Sequence, residues 1–191
     1  MIKKTYIFLF LLIFIVPLKA EETFPSYGLK TSKIEIKVFS SLTCPYCAEF
    51  HIKFLPEIIN KYVTSQKVFI QLMDYPLDLK ALRAAQIQKC LPLDIQKNYL
   101  DEIYKTQNKW SSAKTLKQLE ANLKKISSPL GLSEKDFKDC LINKKKENIV
   151  LQNRINAQSK YDIKSTPTFV VNEKKFKGSI NELEKYIKKL L

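Results

Sequence analysis

The hydrophobic pattern of the chain changes period along its length, and each period predicts a different element. Residues 34–39 alternate apolar and charged side chains, as a half-buried strand does, and residues 68–73 form a short β-rich apolar run. Between them, residues 44–63 place apolar side chains at helical spacing, which predicts a helix that is bent or interrupted at Pro56. The first part of the chain is therefore predicted to be β-α-β, preceded by an extended arm at residues 21–33.

The middle of the chain has a helical pattern almost throughout. Pro and Gly punctuate it, and a capping-box-like pair, Ser133 and Asp136, starts one of its helices. The predicted helices are 79–90, 93–107, 116–126, one beginning at 133, and 146–161. We therefore expect residues 77–163 to form an all-helical insertion domain.

The end of the chain returns to strands. Residues 168–171 and 175–176 flank a short turn, and Ser179 with Glu182 forms a capping box that starts an amphipathic helix. The two terminal parts, 34–76 and 164–191, each have too little apolar area to stand alone. We predict that they pack together as one α/β domain: a mixed sheet of order β-α-β … β-β-α along the chain, flanked by helices and interrupted by the helical insertion.

The amino-terminal segment, residues 1–20, has the pattern of a signal peptide. Two lysines precede an unbroken apolar run from Tyr6 to Val16, and Ala20 offers a small residue for cleavage. The apolar run is too short to span a hydrocarbon core of about 30 Å as a helix, although an uncleaved anchor and a buried core segment remain alternatives. We expect export, to the periplasm or to its membrane surface, and hence an oxidising environment in which four cysteines favour disulfides over zinc.

The net charge of +14 first suggests a nucleic-acid partner, but the composition argues against one. Only two of the 33 basic residues are arginines, whereas bidentate recognition of phosphate and guanine uses the arginine fork. We interpret the lysines as a solvated surface, with attraction to anionic lipid or acidic partners as the alternative. The three glycines lie far apart, which excludes a glycine-rich phosphate loop, and the lone His51 excludes a histidine-rich metal centre.

The motif with the clearest chemistry is Cys44-Pro45-Tyr46-Cys47, which follows a predicted strand and opens a predicted helix. Unpaired N–H groups and the positive end of the helix dipole stabilise a thiolate at such a position, so we expect an accessible Cys44 of lowered pKa and a more buried Cys47. A disulfide that closes a four-residue loop would constrain the unfolded chain little, and a four-cysteine zinc site would need a second C-x-x-C motif. The motif therefore predicts redox catalysis.

Together with Ser165-Thr166-Pro167-Thr168 before a strand and with the helical insertion, this motif resembles the DsbA-like thiol:disulfide oxidoreductases of the thioredoxin superfamily. The resemblance covers residues 34–191. It implies a cis-proline at Pro167 beside the dithiol and a role for the backbone of Thr166 in binding an extended substrate peptide, with Pro45 and Tyr46 as further substrate contacts. It also implies unfolded or reduced exported proteins as substrates and a membrane quinone-linked partner that reoxidises the pair, without a cofactor or metal in the chain.

Two positions depart from that resemblance. The strongest oxidants of the family carry His between the cysteines and a buried acid six residues before the first, where this chain has Tyr46 and Val38. We therefore expect a less depressed pKa of Cys44 and a less oxidising dithiol. An isomerase or reductase on the same fold and a non-catalytic, chaperone-like binding module stay open as alternatives. The arm before residue 34 is short for the dimerisation region of an isomerase, so we expect a monomer.

Cys90 and Cys140 lie in the helical block, 50 residues apart. Some DsbA-like proteins carry a second, structural disulfide, so the resemblance favours a bond between them over two free buried thiols. His51, seven residues after Cys44, lies on the same helix face and could tune the dithiol, but we expect it to be a solvated helix residue. Trp110 and Tyr104 are expected to be core or groove-lining residues.

Overall fold

The computed structural model describes residues 24–191, so the expected signal peptide lies outside the described residues. A five-stranded mixed sheet of order β1-β3-β2-β4-β5 forms the centre of the described chain. Its strands are β1 (Ser26–Tyr27), β2 (Ile34–Ser40), β3 (Val68–Asp74), β4 (Thr168–Val171) and β5 (Lys174–Lys175). The mixed sheet and the helical block between β3 and β4 confirm the predicted α/β class.

The sheet joins the two ends of the chain. β2 pairs in parallel with β3 and antiparallel with β4, so β2 is the strand on which the first and last parts of the chain meet. The expected arm contains one element that the sequence pattern does not reveal: β1 adds to the edge of β3, with Ser26 opposite Gln71. A two-residue strand is too short to display a period of two, and only its partner strand defines it.

The alternation of side chains along the strands divides the core between the two faces of the sheet. Ile36, Val38 and Phe169 belong to the larger core, which the helix after β2 and most of the insertion cover. Phe39 and Val170 point to the other face and pack with Ala157 and Ile163, at the end of the long helix before β4. The even-numbered side chains of β2, Ile36 and Val38, therefore lie on the same face of the sheet as the cysteine motif.

The helix after β2 runs without a break from residue 45 to residue 63, so Pro56 does not end it, but the expected irregularity near Pro56 takes the form of π-helical turns. Its α-helical parts, α1 (Pro45–Glu49) and α2 (Leu55–Ile58), alternate with π-helical turns at Phe50–Phe54 and Ile59–Val63. The first π-helical turn shifts the backbone bonding by one residue, as in the bond from Leu55 N–H to the Phe50 carbonyl. Pro56, which has no N–H to donate, then follows inside the helix without a break.

The insertion consists of helices joined by short loops. They are α3 (Leu79–Gln88), α4 (Leu93–Lys105), α5 (Gln107–Ser111), α6 (Leu116–Ser127), α7 (Glu134–Ile142) and α8 (Lys144–Tyr161). Ser133 caps α7 by accepting from the N–H of Asp136, as its sequence pattern predicts. One break was not predicted: the helix expected from 93 to 107 ends at Lys105, and α5 begins directly after Thr106.

The last part of the chain forms a hairpin and a helix. Asn172 and Glu173 both have positive φ, 45° and 64°, as a tight two-residue hairpin turn requires. The predicted capping box of Ser179 and Glu182 is present at the start of α9 (Ile180–Leu190). Among residues 24–191, no helix combines the length and the apolar character that a membrane span needs.

Candidate active site

The two cysteines of the motif occupy the first turn of the helix that follows β2. Cys44 is the N-cap, with extended backbone angles of φ −78° and ψ 121°, and Pro45 takes the first helical position, where its missing N–H has no partner to lose. Cys44 and Cys47 are both free thiols in this structure. The pair is therefore a dithiol in this structure.

Both cysteines are enclosed, although the sequence pattern predicts this only for Cys47. Cys47 is 1% exposed, as expected for the inner cysteine, but Cys44 is also only 8% exposed, which corrects the expectation of an open thiol. The reason is the loop before β4, because the Cys44 thiol donates to the carbonyl oxygen of Thr166 at 3.2 Å. A contact over 122 residues of chain cannot be read from the motif itself.

The loop that covers Cys44 carries the Thr166–Pro167 peptide bond in the cis form, as the resemblance implies. Thr166 and Pro167 are both half-buried. The Thr166 hydroxyl is buried as well. The structure thus brings Cys44, Cys47, Thr166 and Pro167 together at one place.

The surroundings of the dithiol separate the two pKa values. The pKa of Cys44 is lowered to about 5, first because the Cys47 thiol can donate to its sulfur, and further by the Thr166 side chain and the N–H groups of Cys47 and Tyr46, against the opposing effect of burial. Burial and the neighbouring Cys44 raise the pKa of Cys47 well above its ordinary value. The helix N-terminus therefore contributes as predicted, but the inner cysteine is the larger cause.

We expect the alkylation of reduced protein at Cys44 to have its pH midpoint near pH 5, because the thiolate is the reactive form. The thiolate fraction rises as the pH passes through this value, whereas an ordinary thiol titrates near about pH 8.5. Stopped-flow reaction with iodoacetamide between pH 4 and pH 9 measures it.

The matched control is Cys47→Ala, which removes the largest favourable contact and should move the midpoint to higher pH. An unshifted midpoint in this variant would contradict the assignment of Cys47 as the main cause.

A groove lies beside the dithiol, on the side of the cis-proline. Its volume is about 340 Å³, and it is lined by Tyr46, Glu49, Phe54, Pro167, Phe169, Gly178, Ser179, Ile180 and Asn181. Tyr46 is 65% exposed at its edge, so a large aromatic surface is available next to Cys44. The sequence singles out Tyr46 and Pro167 as substrate contacts. It gives no such signal for Phe54, on the helix after β2, or for Ile180, at the start of α9; both line the groove only because the two helices come together there.

A further residue that the sequence does not reveal is Gln107, at the start of α5. Its buried side-chain amide donates to the carbonyl oxygens of Leu42 at 2.8 Å and of Cys44 at 3.0 Å. These bonds attach the helical insertion to the loop that carries the outer cysteine. Nothing in the local pattern around residue 107 distinguishes this glutamine from a surface residue.

His51 is buried, which corrects the expectation of a solvated helix residue. Its Nε2 lies 2.7 Å from the Oδ1 of Asp101 on α4, and its ring packs against Tyr104 with centroids 4.7 Å apart. The insertion covers this face of the helix, so a position that would be exposed on an isolated helix is enclosed. Tyr104 and Trp110 are buried as expected, at 4% and 1% exposure.

The two remaining cysteines are bonded to each other. Cys90, just after α3, and Cys140, in α7, form a disulfide with Cα atoms 6.1 Å apart. Within residues 24–191, no cluster of three or more His, Cys, Asp or Glu side chains is arranged to hold a metal ion.

Comparisons with known proteins agree on the type of protein. The family model described as thioredoxin matches residues 20–189. Two relatives have names that contain the words protein-disulfide oxidoreductase: one from Rickettsia bellii is 28% identical over 93% of this chain, and one from Rickettsia conorii is 26% identical over 82%. The chain spans 68% and 56% of the lengths of these relatives.

A solved structure, alpha-DsbA1 of Wolbachia pipientis, has a TM-score of 0.76 at 23% identity and covers 92% of this chain, which in turn covers 93% of that protein. At this identity the likeness concerns the fold. It confirms the thioredoxin-like sheet with its helical insertion.

Proposed function

The chain belongs to the thioredoxin family, and on that premise we propose that it is a DsbA-like thiol:disulfide oxidoreductase that introduces disulfide bonds into substrate proteins through Cys44 and Cys47. The observation that carries the proposal is the Cys44 thiol, which lies against the loop of Thr166 and Pro167 and whose pKa is lowered to about 5, chiefly by Cys47. A thiolate that is stable at neutral pH is a good leaving group, and this property favours the transfer of a disulfide to a substrate.

In the proposed reaction, a substrate thiolate attacks the Cys44 sulfur of the oxidised pair. The Cys44–Cys47 bond breaks, Cys47 leaves with the electron pair, and a mixed disulfide joins Cys44 to the substrate. A second substrate thiolate then attacks the first substrate sulfur and expels Cys44 as the stabilised thiolate. The substrate leaves with a disulfide, and the enzyme is left as the dithiol that this structure describes.

We assign substrate binding to the loop and groove around Pro167. An extended peptide can bond to the backbone at Thr166, while its apolar side chains enter the groove between Tyr46, Phe169 and Ile180. Pro45 and Tyr46 are exposed beside Cys44 and complete the contact surface. This surface recognises backbone and apolar groups, which suits unfolded chains of varied sequence.

We further propose that the chain is exported and acts on reduced exported proteins as a monomer. The signal-like pattern of residues 1–20 supports export, and so does the Cys90–Cys140 disulfide, since such bonds persist in oxidising compartments. Each turnover leaves a dithiol, so an oxidant must restore the disulfide. A membrane quinone-linked protein is the partner that the family resemblance implies.

Oxidative folding of a reduced model protein tests the proposed direction. We expect the oxidised enzyme to transfer one disulfide per molecule to a reduced dithiol peptide, and to do so faster than it rearranges a scrambled disulfide protein. The reduction potential of Cys44/Cys47, measured in a Cys90→Ala/Cys140→Ala background, should be higher than that of a reducing thioredoxin, about −270 mV. A more negative potential, with efficient rearrangement of scrambled disulfides, would instead assign an isomerase or reductase.

A further inference from the structure

The proposed disulfide exchange requires a group that gives a proton to Cys47 and takes it back, and no residue discussed so far does this. Cys47 must gain a proton when it leaves the disulfide and lose it when the disulfide is restored. Cys47 is 1% exposed, so bulk water does not reach its sulfur freely. Its pKa is raised by burial and by Cys44, so an unassisted thiol would seldom be ionised near neutral pH.

A cavity of about 20 Å³ lies next to Cys47. Polar residues among its lining are Ser40, His51, Asp74, Gln88 and Tyr104. A space of this size accommodates about one water molecule. Oε1 of Gln88, a buried oxygen of this lining, has no hydrogen-bond partner, so a water molecule placed there would find an acceptor.

His51 links this cavity with the surface. It follows Cys47 by four positions, which places both on one face of the helix, and both line the cavity. On its other side the imidazole meets Asp101 at 2.7 Å, and the Asp101 side chain is 46% exposed. An imidazole exchanges protons readily near neutral pH, and a carboxylate at its second nitrogen orients the ring and stabilises the imidazolium.

We propose that His51, with Asp101, is the proton relay of Cys47. In the step that restores the disulfide, the Cys47 thiol gives its proton through one cavity water to His51, and its sulfur attacks Cys44 in the mixed disulfide. The bond between Cys44 and the other sulfur breaks, and that sulfur leaves with the electron pair. The proton passes from the imidazolium to solvent beside Asp101, and the opposite sequence protonates Cys47 when a substrate is oxidised.

The other ionisable groups that face this path are less suited to it. Asp74 also lines the cavity, but Lys89 lies 2.6 Å from its Oδ2 and both side chains are over nine-tenths buried, so protonating Asp74 would leave a buried ammonium group without its partner. Burial raises the pKa of Tyr104 well above its ordinary value, so it stays a phenol. An ionisable neighbour of Asp101 is Tyr27. Burial raises the pKa of Tyr27 to about 12, so it stays protonated, and the ammonium group of Lys97 lies over its ring.

A thiol reagent that reacts in two phases measures the step at Cys47 separately from the step at Cys44. The reduced protein is mixed with 5,5′-dithiobis(2-nitrobenzoate), and the release of coloured thiolate is followed in a stopped-flow instrument. The first phase is the attack of Cys44 on the reagent, and the second is the attack of Cys47 on the resulting mixed disulfide. We expect His51→Gln to slow the second phase by about 10-fold or more at pH 7 and to change the first by less than about twofold.

The pH dependence distinguishes proton transfer from a structural effect. In the wild-type protein the second phase should level off as the pH rises, because the imidazole takes the proton of Cys47 in place of hydroxide, whereas in His51→Gln it should keep rising with hydroxide concentration. Asp101→Asn, which preserves the shape of the side chain, should slow the second phase by a smaller factor. Asp94→Asn removes a carboxylate from the exposed start of the same helix, α4, and is the matched control, with both phases unchanged.

The inference rests on the proposed function, and the two can fail separately. If the wild-type protein shows no second phase, Cys44 and Cys47 do not form a redox pair, and the proposed function fails. If both phases are present but His51→Gln slows neither, or slows both equally, only the relay is wrong. A second phase that depends on Asp74→Asn and not on His51→Gln would assign the proton path to the buried carboxylate instead.

Discussion

Replacement of Cys44 by serine is expected to lower the rate of disulfide transfer to a reduced dithiol peptide by at least about a thousandfold. Cys44 is the sulfur that contacts Thr166 and that forms the stabilised thiolate, whereas a serine hydroxyl stays protonated near neutral pH and cannot form the mixed disulfide. Serine is also a favourable N-cap, so the helix that begins at Pro45 should be retained. Single-turnover transfer, followed by mass spectrometry of the peptide, measures the loss.

Cys47→Ser is the matched comparison for this variant. It keeps the outer thiol but removes the group that resolves the mixed disulfide, so it should accumulate a covalent adduct between Cys44 and a disulfide-containing peptide. Circular dichroism should show that both serine variants are folded. Retention of more than about a tenth of the transfer rate by Cys44→Ser would contradict the role of Cys44 and favour a non-catalytic binding module.

Removal of the second disulfide, by Cys90→Ala/Cys140→Ala, is expected to lower the free energy of unfolding by about 4 kcal/mol. The bond spans 50 residues of the chain and ties the end of α3 to α7, so without it the unfolded chain regains the entropy of a long loop. Burial adds to this effect, since Cys140 is 2% exposed and its replacement leaves a small void. Urea denaturation of the oxidised wild-type protein and of the variant measures the difference.

The alkylation midpoint of Cys44 provides the control for the disulfide variant. It should stay near pH 5 if the loss concerns stability alone, because the groups that lower the pKa of Cys44 lie in its own turn and at Thr166. A change in unfolding free energy of less than about 1 kcal/mol would contradict the stabilising role of this bond.

Features that depend only on residues close together in the chain were predictable from the sequence. The alternation of residues 34–39 predicts β2, and its phase follows from which residues are apolar. Ser179 and Glu182 form their capping box because the two partners are three residues apart, and Pro45 suits the first turn of a helix for a local reason. The pattern of the cysteine motif in the same way predicts an ionisable thiol at a helix start.

Features that depend on chain closure were not predictable in the same way. The short strand β1 exists only because β3 accepts it, and the enclosure of Cys44 depends on a loop 122 residues away. The burial of His51 has the same origin, since Asp101 belongs to a helix of the insertion. The bonds from Gln107 to the backbone of Leu42 and Cys44 likewise cross more than 60 residues of the chain.

The sequence by itself determined most of the longer elements, the α/β order and the position of the Cys44–Cys47 pair, because each of these is set by the spacing of side chains within a few turns of the chain. The tertiary structure alone decided how far Cys44 is enclosed, which groups lower its pKa, and which side chains face Cys47. Those properties depend on distances of a few ångströms between segments that are remote along the chain, and on the water that their packing excludes, and neither is encoded in any local pattern.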